Sequence, residues 1–309
     1  MNVTFTRFLN RLLWSVLVLL GTSVITFFVA HAVPADPART MAGAKADAET
    51  IRRIRHEMHF DEPRLKQYAR YLWGLAHGDL GKSYVTNQRV TDAILTRLPA
   101  TLALSAMAVV FWMLLAVPLG VLTAKFRDSK FDRTVLVLGT IGLSLPAFWL
   151  GRMLQYALAY RAGYFPVAGF SGWRHLLLPA LTLVILFAGY YARLIHSSMV
   201  EVLSSDYVRT ARAKGLSEIA VLFRHGLRNA LIPVITVLGM DVAGLLGGVI
   251  FTENVFALPG IGTLALQSVF NLDVPIIMGT VLFSAAMVVA ANLGVDFLYH
   301  WVDPRVKRD

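Results

Sequence analysis

Residues 204–234 read SSDYVRTARAKGLSEIAVLFRHGLRNALIPV, and the architecture turns on whether this stretch crosses a membrane, lies along one or docks onto something else. Asp206, Arg209, Arg212, Lys214, Glu218, Arg224 and Arg228 make it too polar to span a bilayer. Its residues are nevertheless helix-compatible, with Gly215 and Gly226 as the interruptions. The pattern predicts a helix, a glycine-terminated turn and a second helix. Ser205 or Asp206 can cap the first, Gly215 can take the left-handed conformation that ends it, and Ser217 can cap the next. Two readings fit this stretch. One is a rigid helix-turn-helix that passes movement from a cytoplasmic engine into the membrane helices. The other is a solvated basic loop held near anionic lipid by Arg209, Arg212 and Lys214.

Outward from this stretch the chain becomes apolar. Of its 309 residues 56% are hydrophobic and 16% charged, whereas soluble domains carry roughly a quarter charged residues. Six apolar runs, near 13–30, 102–124, 135–160, 177–192, 230–250 and 274–301, approach or exceed the ~20 residues that a helix needs to cross a hydrocarbon core of about 30 Å. Most contain Gly, Pro or Ser, which membrane helices accept when neighbours satisfy the freed backbone groups. A transmembrane β-barrel would show shorter alternating segments. The sequence therefore predicts an all-α integral membrane protein with about six transmembrane helices.

The net charge of +10 follows topology and needs no nucleic-acid partner. With the N-terminus inside, the cytoplasmic pieces hold Arg7 and Arg11, then Lys125, Arg127, Lys130 and Arg133, then the basic residues of the opening stretch with Arg193, and finally Arg305, Lys307 and Arg308. The short external loops hold only Arg161 and Arg174, and residues 251–273 hold no basic residue. The positive-inside rule favours both termini in the cytoplasm and an even span count, with membrane lipid as the solvent of the spans. Arg7 and Arg11 before the first apolar run imitate a signal peptide, but about 18 apolar residues exceed a usual signal core, so the run is expected to stay as a span. Residues 1–33 thus read as an N-terminal span, 34–100 as an extracytoplasmic amphipathic segment and 101–309 as a five-helix core. The external segment reads as one or two amphipathic helices broken at Pro63, either a cap packed locally or a surface that meets an external partner. Cysteine is absent, which excludes disulfides and thiolate metal sites.

Several stretches resemble the permeases of binding-protein-dependent ABC importers, specifically the dipeptide, oligopeptide and nickel branch. They are HGDLGKSY, RLPATLALS, SLPAFWLG, DYVRTARAKGL with RHGLRNALIPV, TENVFALPGIG and the terminal DPRVK. The resemblance covers nearly the whole chain. Its EAA motif corresponds to the opening stretch, with Gly215 as the fixed glycine, Arg209, Thr210 and Ala211 where the general motif has Glu-Ala-Ala, and Arg228 in place of its proline. It implies a type I ABC importer permease fold in a bacterial inner membrane. It also implies a coupling helix near 205–216 whose Asp206, Tyr207, Arg209, Thr210, Ala211, Lys214, Gly215 and Leu216 meet an ATPase subunit. The partners it implies are a second, homologous permease, two ATP-binding subunits and an extracytoplasmic solute-binding protein. This chain has no Walker-type phosphate loop, so ATP and Mg are expected on the partner subunits. No cofactor, catalytic residue or metal site is expected here.

Outside the opening stretch, candidate residues are sparse. Asp241, in GMDVAGLLGG with Gly239, Gly244, Gly247 and Gly248, reads either as a path-lining carboxylate that meets amines or a cation, or as an acceptor between helices. Ser144 and Asn292 join it as translocation-path candidates. Arg152 is a basic group inside an apolar run that either pairs with a carboxylate or reaches the external interface, and snorkelling is the reading favoured. Asn292, Asp296 and His300 share a helix face at four-residue spacing, read as interfacial hydrogen bonding. Glu253, Pro259 and Gly260 fall in a tightly turned external segment, with Phe256, Leu258 and Ile261 to bury, read as part of an external gate.

The function expected is uptake of di- or oligopeptides by alternating access. Nickel, metal chelates or glutathione-like compounds are the alternatives on the same architecture. An ion-gradient carrier is the competing class, without a need for a docking helix, and an intramembrane enzyme lacks any HExxH or GxSxG motif.

Overall fold

In a computed structural model, which describes the backbone of residues 3–32, 36–43 and 46–302, the apolar runs become helices with one interruption. Within those residues the side chains described are all but those of 3–10, 12 and 295–302. The helices are α1 (Val3–Ala32), α2 (Pro37–Ala42), α3 (Ala48–Glu57), α4 (Arg64–Ala76), α5 (Val90–Lys125), α6 (Lys130–Ser144) and α7 (Ala147–Leu154), the last continued by a π-helical turn, Gln155–Arg161. They continue with α8 (Arg174–Leu203), α9 (Asp206–Ala213), α10 (Glu218–Ala220), a second π-helical turn over Val221–Leu227, then α11 (Arg228–Leu246), α12 (Ile250–Val255), α13 (Ile261–Phe270) and α14 (Val274–Val302). Among the described residues five helices are long and apolar enough to cross a membrane, and six if one bent pair counts as a span.

That bent pair corrects the third expected span. Instead of one helix over 135–160, α6 and α7 meet at 102°. Pro146 causes the break: it has no N–H to continue the helix, and it pushes Leu145 into extended backbone at φ −77° and ψ 134°. Two other runs change length. RLPATLALS lies inside α5, which spans 36 residues. The fifth run begins at Glu218 and stops at Leu246, so Asp241 lies near the end of its helix.

The chain divides into two compact units. The first comprises Met1–Thr101, Leu246–Ile250 and Pro259–Val289. Its core is Val90, Ala93, Ile94, Ile261 and Ile276, with a second cluster of Phe27, Val274 and Met278 under Tyr68, Tyr71 and Tyr84. The polar segment between α1 and α5 is helical where its sequence permits. Asp47 caps α3, and the chain turns before Pro63, from which α4 starts. Its end is pinned by Asp273, 4% exposed, whose carboxylate accepts from the Ser83 hydroxyl and the Tyr84 backbone N–H. Burial, with the Asp273 charge beside it, pushes the Tyr84 phenol up to about 12.

The second unit comprises Leu102–Leu245, Phe251–Leu258 and Ala290–Asp309. Helices α6 and α8 cross at Gly139 and Gly189, where a Cβ on Gly189 would lie 2.1 Å from the Gly139 Cα. The approach is possible only because neither residue has a side chain. Trp112 of α5 packs on Tyr191 and Phe187 of α8, with ring centroids 5.7 and 4.9 Å away.

Candidate functional site

The polar stretch forms a helical hairpin at the end of α8. Three residues anchor it: Val208 and Ala211 of α9 and Val221 pack together against Val202 and Leu203. The 208/211 spacing puts one stripe of α9 inward. Asp206, Tyr207, Arg209, Thr210, Lys214, Gly215 and Leu216 are exposed, whereas Ala211 is 7% exposed and belongs to the anchor.

The turn is a Schellman cap. Gly215 has φ +77°, its N–H donates to Arg212 O at 2.9 Å, and the Leu216 N–H donates to Ala211 O at 3.4 Å. No side chain crowds Gly215, so conformation alone, not space, calls for glycine here. Ser217 caps the following helix through its hydroxyl, accepting from Ala220 N at 3.4 Å. Ser205 stands at the N-cap of α9, but its hydroxyl donates to Val202 O at 2.6 Å and leaves the helix without a side-chain cap. The expected cap by Ser205 or Asp206 is therefore corrected, because the preceding turn competes for the hydroxyl.

One ion pair braces the two arms, with Arg212 donating to Glu218 at 2.9 Å. The hydrogen bond from Arg212, and then its charge, hold the Glu218 carboxyl below the usual carboxylate range. Asn229 donates to the Tyr207 hydroxyl at 2.7 Å, tying α9 to the base of α11. Gly226 lets the second arm close on α8, since a Cβ there would meet Met199 Cε at 3.0 Å. The hairpin therefore presents a rigid, mixed surface of Tyr207, Leu216, Ile219 and Phe223 among Arg209 and Lys214.

The remaining candidates are dispersed. Tyr191, fully buried on α8, donates its hydroxyl to Asp241 Oδ2 at 2.7 Å. The sequence carried no signal for this partner, which lies 50 residues away on another helix. Of the glycines around Asp241, Gly244 has open space where a Cβ would go, while Gly248, at φ +115°, approaches the Gly262 backbone. Ser144 is exposed and donates to Thr140 O at 2.8 Å, and Asn292 is exposed on α14. Arg152 donates to Gln155 Oε1 at 2.9 Å rather than pairing with a carboxylate. The side chains of Asp296 and His300 lie outside the described residues. Glu253 is fully buried in α12, with Phe256 and Leu258 at 2% and 1% exposure. The Gln155 amide donates to Val167 O and Val255 O, and Gly169 N donates to Phe256 O. Pro259 and Gly260 lead into α13, with Gly260 at its N-cap. Asp241, Ser144 and Asn292 do not form a single cluster bonded to one another.

Helices of this number and hydropathy, joined by a braced polar hairpin, define a multi-pass membrane protein. The chain belongs to the family of binding-protein-dependent transport system inner membrane components, whose description matches residues 116–308, while the family's N-terminal component matches residues 5–105. It is 41% identical over 309 residues to a putative peptide transport system permease protein of Brucella abortus, covering 97% of this chain and 98% of that one. It is 40% identical over 299 residues to the glutathione transport system permease protein GsiC of Salmonella paratyphi A, again covering 97% and 98%. Among solved structures it is similar to the methionine ABC transporter MetNI in an inward-facing conformation. The TM-score is 0.59 at 20% identity, covering 69% of this chain and 97% of that one, which establishes the type I importer permease fold. The chain is a multi-pass inner-membrane permease subunit of a binding-protein-dependent ABC importer.

Proposed function

We propose that this permease imports peptides handed over by an extracytoplasmic solute-binding protein, by alternating access. Two ATP-binding subunits, which hold the ATP and Mg, drive it, and a second homologous permease completes the path. The observation that carries the coupling role is the hairpin itself. Val208 and Ala211 anchor it, a left-handed glycine stops it, and Arg212–Glu218 braces it, so α9 can seat on an ATPase surface and pass a push into α8 and α11. A floppy basic loop would absorb that push.

In this reading Asp206, Tyr207, Arg209, Thr210, Lys214 and Leu216 face the ATPase, and Ala211 and Gly215 set their presentation. Asp241, held by Tyr191, lines the path with Ser144 and Asn292, and Glu253, Pro259 and Gly260 shape the external gate. Peptide cargo is supported by the Brucella relative's name, and glutathione, itself a small peptide derivative, by that of GsiC. ATP-dependent uptake by the assembled complex in proteoliposomes, with labelled di- and oligopeptides set against glutathione, tests both. Accumulation of a peptide only with binding protein and ATP supports the reading. Transport by this chain alone without nucleotide refutes it.

A further inference from the structure

Between the start of α6 and the end of α8 lies a buried pair that neither the hairpin nor the proposed path uses. Asp132, 5% exposed, sits in the first turn of α6. The Ser129 hydroxyl accepts from Asp132 N at 3.1 Å, and Asp132 Oδ2 accepts from Asp128 N at 3.0 Å. Asp128 has φ +63°, a conformation that non-glycine residues seldom take, so the carboxylate holds a tight turn in shape. Its other oxygen, Oδ1, lies 3.4 Å from His196 Nδ1 on α8. Both atoms are buried, and neither has a hydrogen-bond partner.

Buried polar atoms are nearly always paired. Here the two face each other in an ion-pair contact at 3.4 Å that lacks the alignment of a hydrogen bond. With its proton on Nδ1, the imidazole can donate to Asp132 Oδ1.

The position of His196 gives that contact a use. On the same last turns of α8, Met199 and Leu203 meet Gly226 of the hairpin, and Ile195 fits against Gly120 of α5, where a Cβ would come within 2.6 Å. The end of α8 thus touches the hairpin through some side chains and the α5–α6 region through others. We propose that Asp132 and His196 are positioning residues that form a second transmission contact, alternating between the present separation and a closed hydrogen bond during the ATP cycle. Through it, a displacement of α8 by the hairpin reaches the base of α6, whose chain bends further on at Pro146. This inference rests on the coupling role of the hairpin.

The test uses the complete transporter in nanodiscs and reads the ratio of binding-protein-stimulated to basal ATPase activity. His196→Ala is expected to lower the ratio about threefold or more, the effect of losing one charge-assisted hydrogen bond. His196→Asn, whose amide can donate from near the Nδ1 position, is expected to restore it to within about twofold. A wild-type ratio in His196→Ala, or an His196→Asn variant as impaired as His196→Ala, overturns the proposal. Because the chain lacks cysteine, an Asp132→Cys/His196→Cys double variant gives an independent reading. Its cross-linking yield is expected to differ about threefold or more between nucleotide-free and vanadate-trapped complexes, and equal yields overturn the proposal. Gly215→Val separates this inference from its foundation. If Gly215→Val uncouples the complex and His196→Ala does not, only the second contact falls; if Gly215→Val leaves coupling intact, both fall.

Discussion

The polar segment ahead of α5 and the hairpin after α8 are both inserted between apolar helices, yet they use their side chains in opposite ways. The first closes on its own unit. Arg55 pairs with Asp36 at 2.6 Å, Glu62 is shared by Lys66 and Arg70, and the buried Asp273 fastens Ser83 and Tyr84. The hairpin buries Val208, Ala211, Val221, Leu222 and Gly226, and among the described residues Lys214, Arg224 and Arg228 form no ion pair. The first segment pairs several of its charged groups within its own unit, whereas the hairpin fixes its backbone and leaves Tyr207, Ile219 and Phe223 outward, as the proposed docking role requires.

Four substitutions break or sharpen this contrast. The largest effect is expected from Gly215→Val, which forces a β-branched residue to φ +77° at a site where L-residues are strained. Coupled uptake should fall about tenfold or more while ATP hydrolysis by the complex persists, measured as solute transported per ATP. Next, Asp273→Ala leaves the Ser83 hydroxyl and Tyr84 N–H without their acceptor, at about 1–3 kcal/mol. Thermal unfolding in detergent should report that loss, with faster proteolysis confined to the polar segment and coupling per folded complex unchanged.

Val208→Ala removes buried methyl groups from the hairpin's anchor and should cost roughly 1–2 kcal/mol. Hydrogen exchange should quicken in α9 and not in α3 or α4. The smallest effect is expected from Arg212→Ala, since a half-exposed pair contributes ~0.5 kcal/mol or less after screening. Its pH dependence has a definite sign. Glu218 is held below its usual range, so the pair's contribution is complete above the unfolded carboxylate pKa and fades as pH falls through the lower folded value. Exchange in the hairpin should therefore become faster under acid conditions in the parent chain and change less in Arg212→Ala.

Much of this architecture was legible in the sequence because bilayer length and hydropathy leave few choices. The apolar runs mark the helices, and Gly215 and Ser217 mark the turn by their own local chemistry. What was not legible depended on partners distant in the chain or on competition between neighbours. Pro146 sat inside an apolar run that hydropathy alone reads as continuous, although the steric rule for the residue before proline signals the break. Ser205 has the right residue type for a cap, but Val202 O takes its hydroxyl. The Tyr191–Asp241 bond and the Asp132–His196 pair join residues on different helices, and no spacing within a single run reveals them.

The cysteine-free background permits one direct measurement. A photoactivatable cross-linker on Lys214→Cys, in the assembled complex in its native membrane, is predicted to join this chain to an ATP-binding subunit, with the thiol reached only from the cytoplasmic face. A Lys214→Cys thiol labelled from outside intact cells, or an assembled complex in which no such adduct forms, would contradict the account.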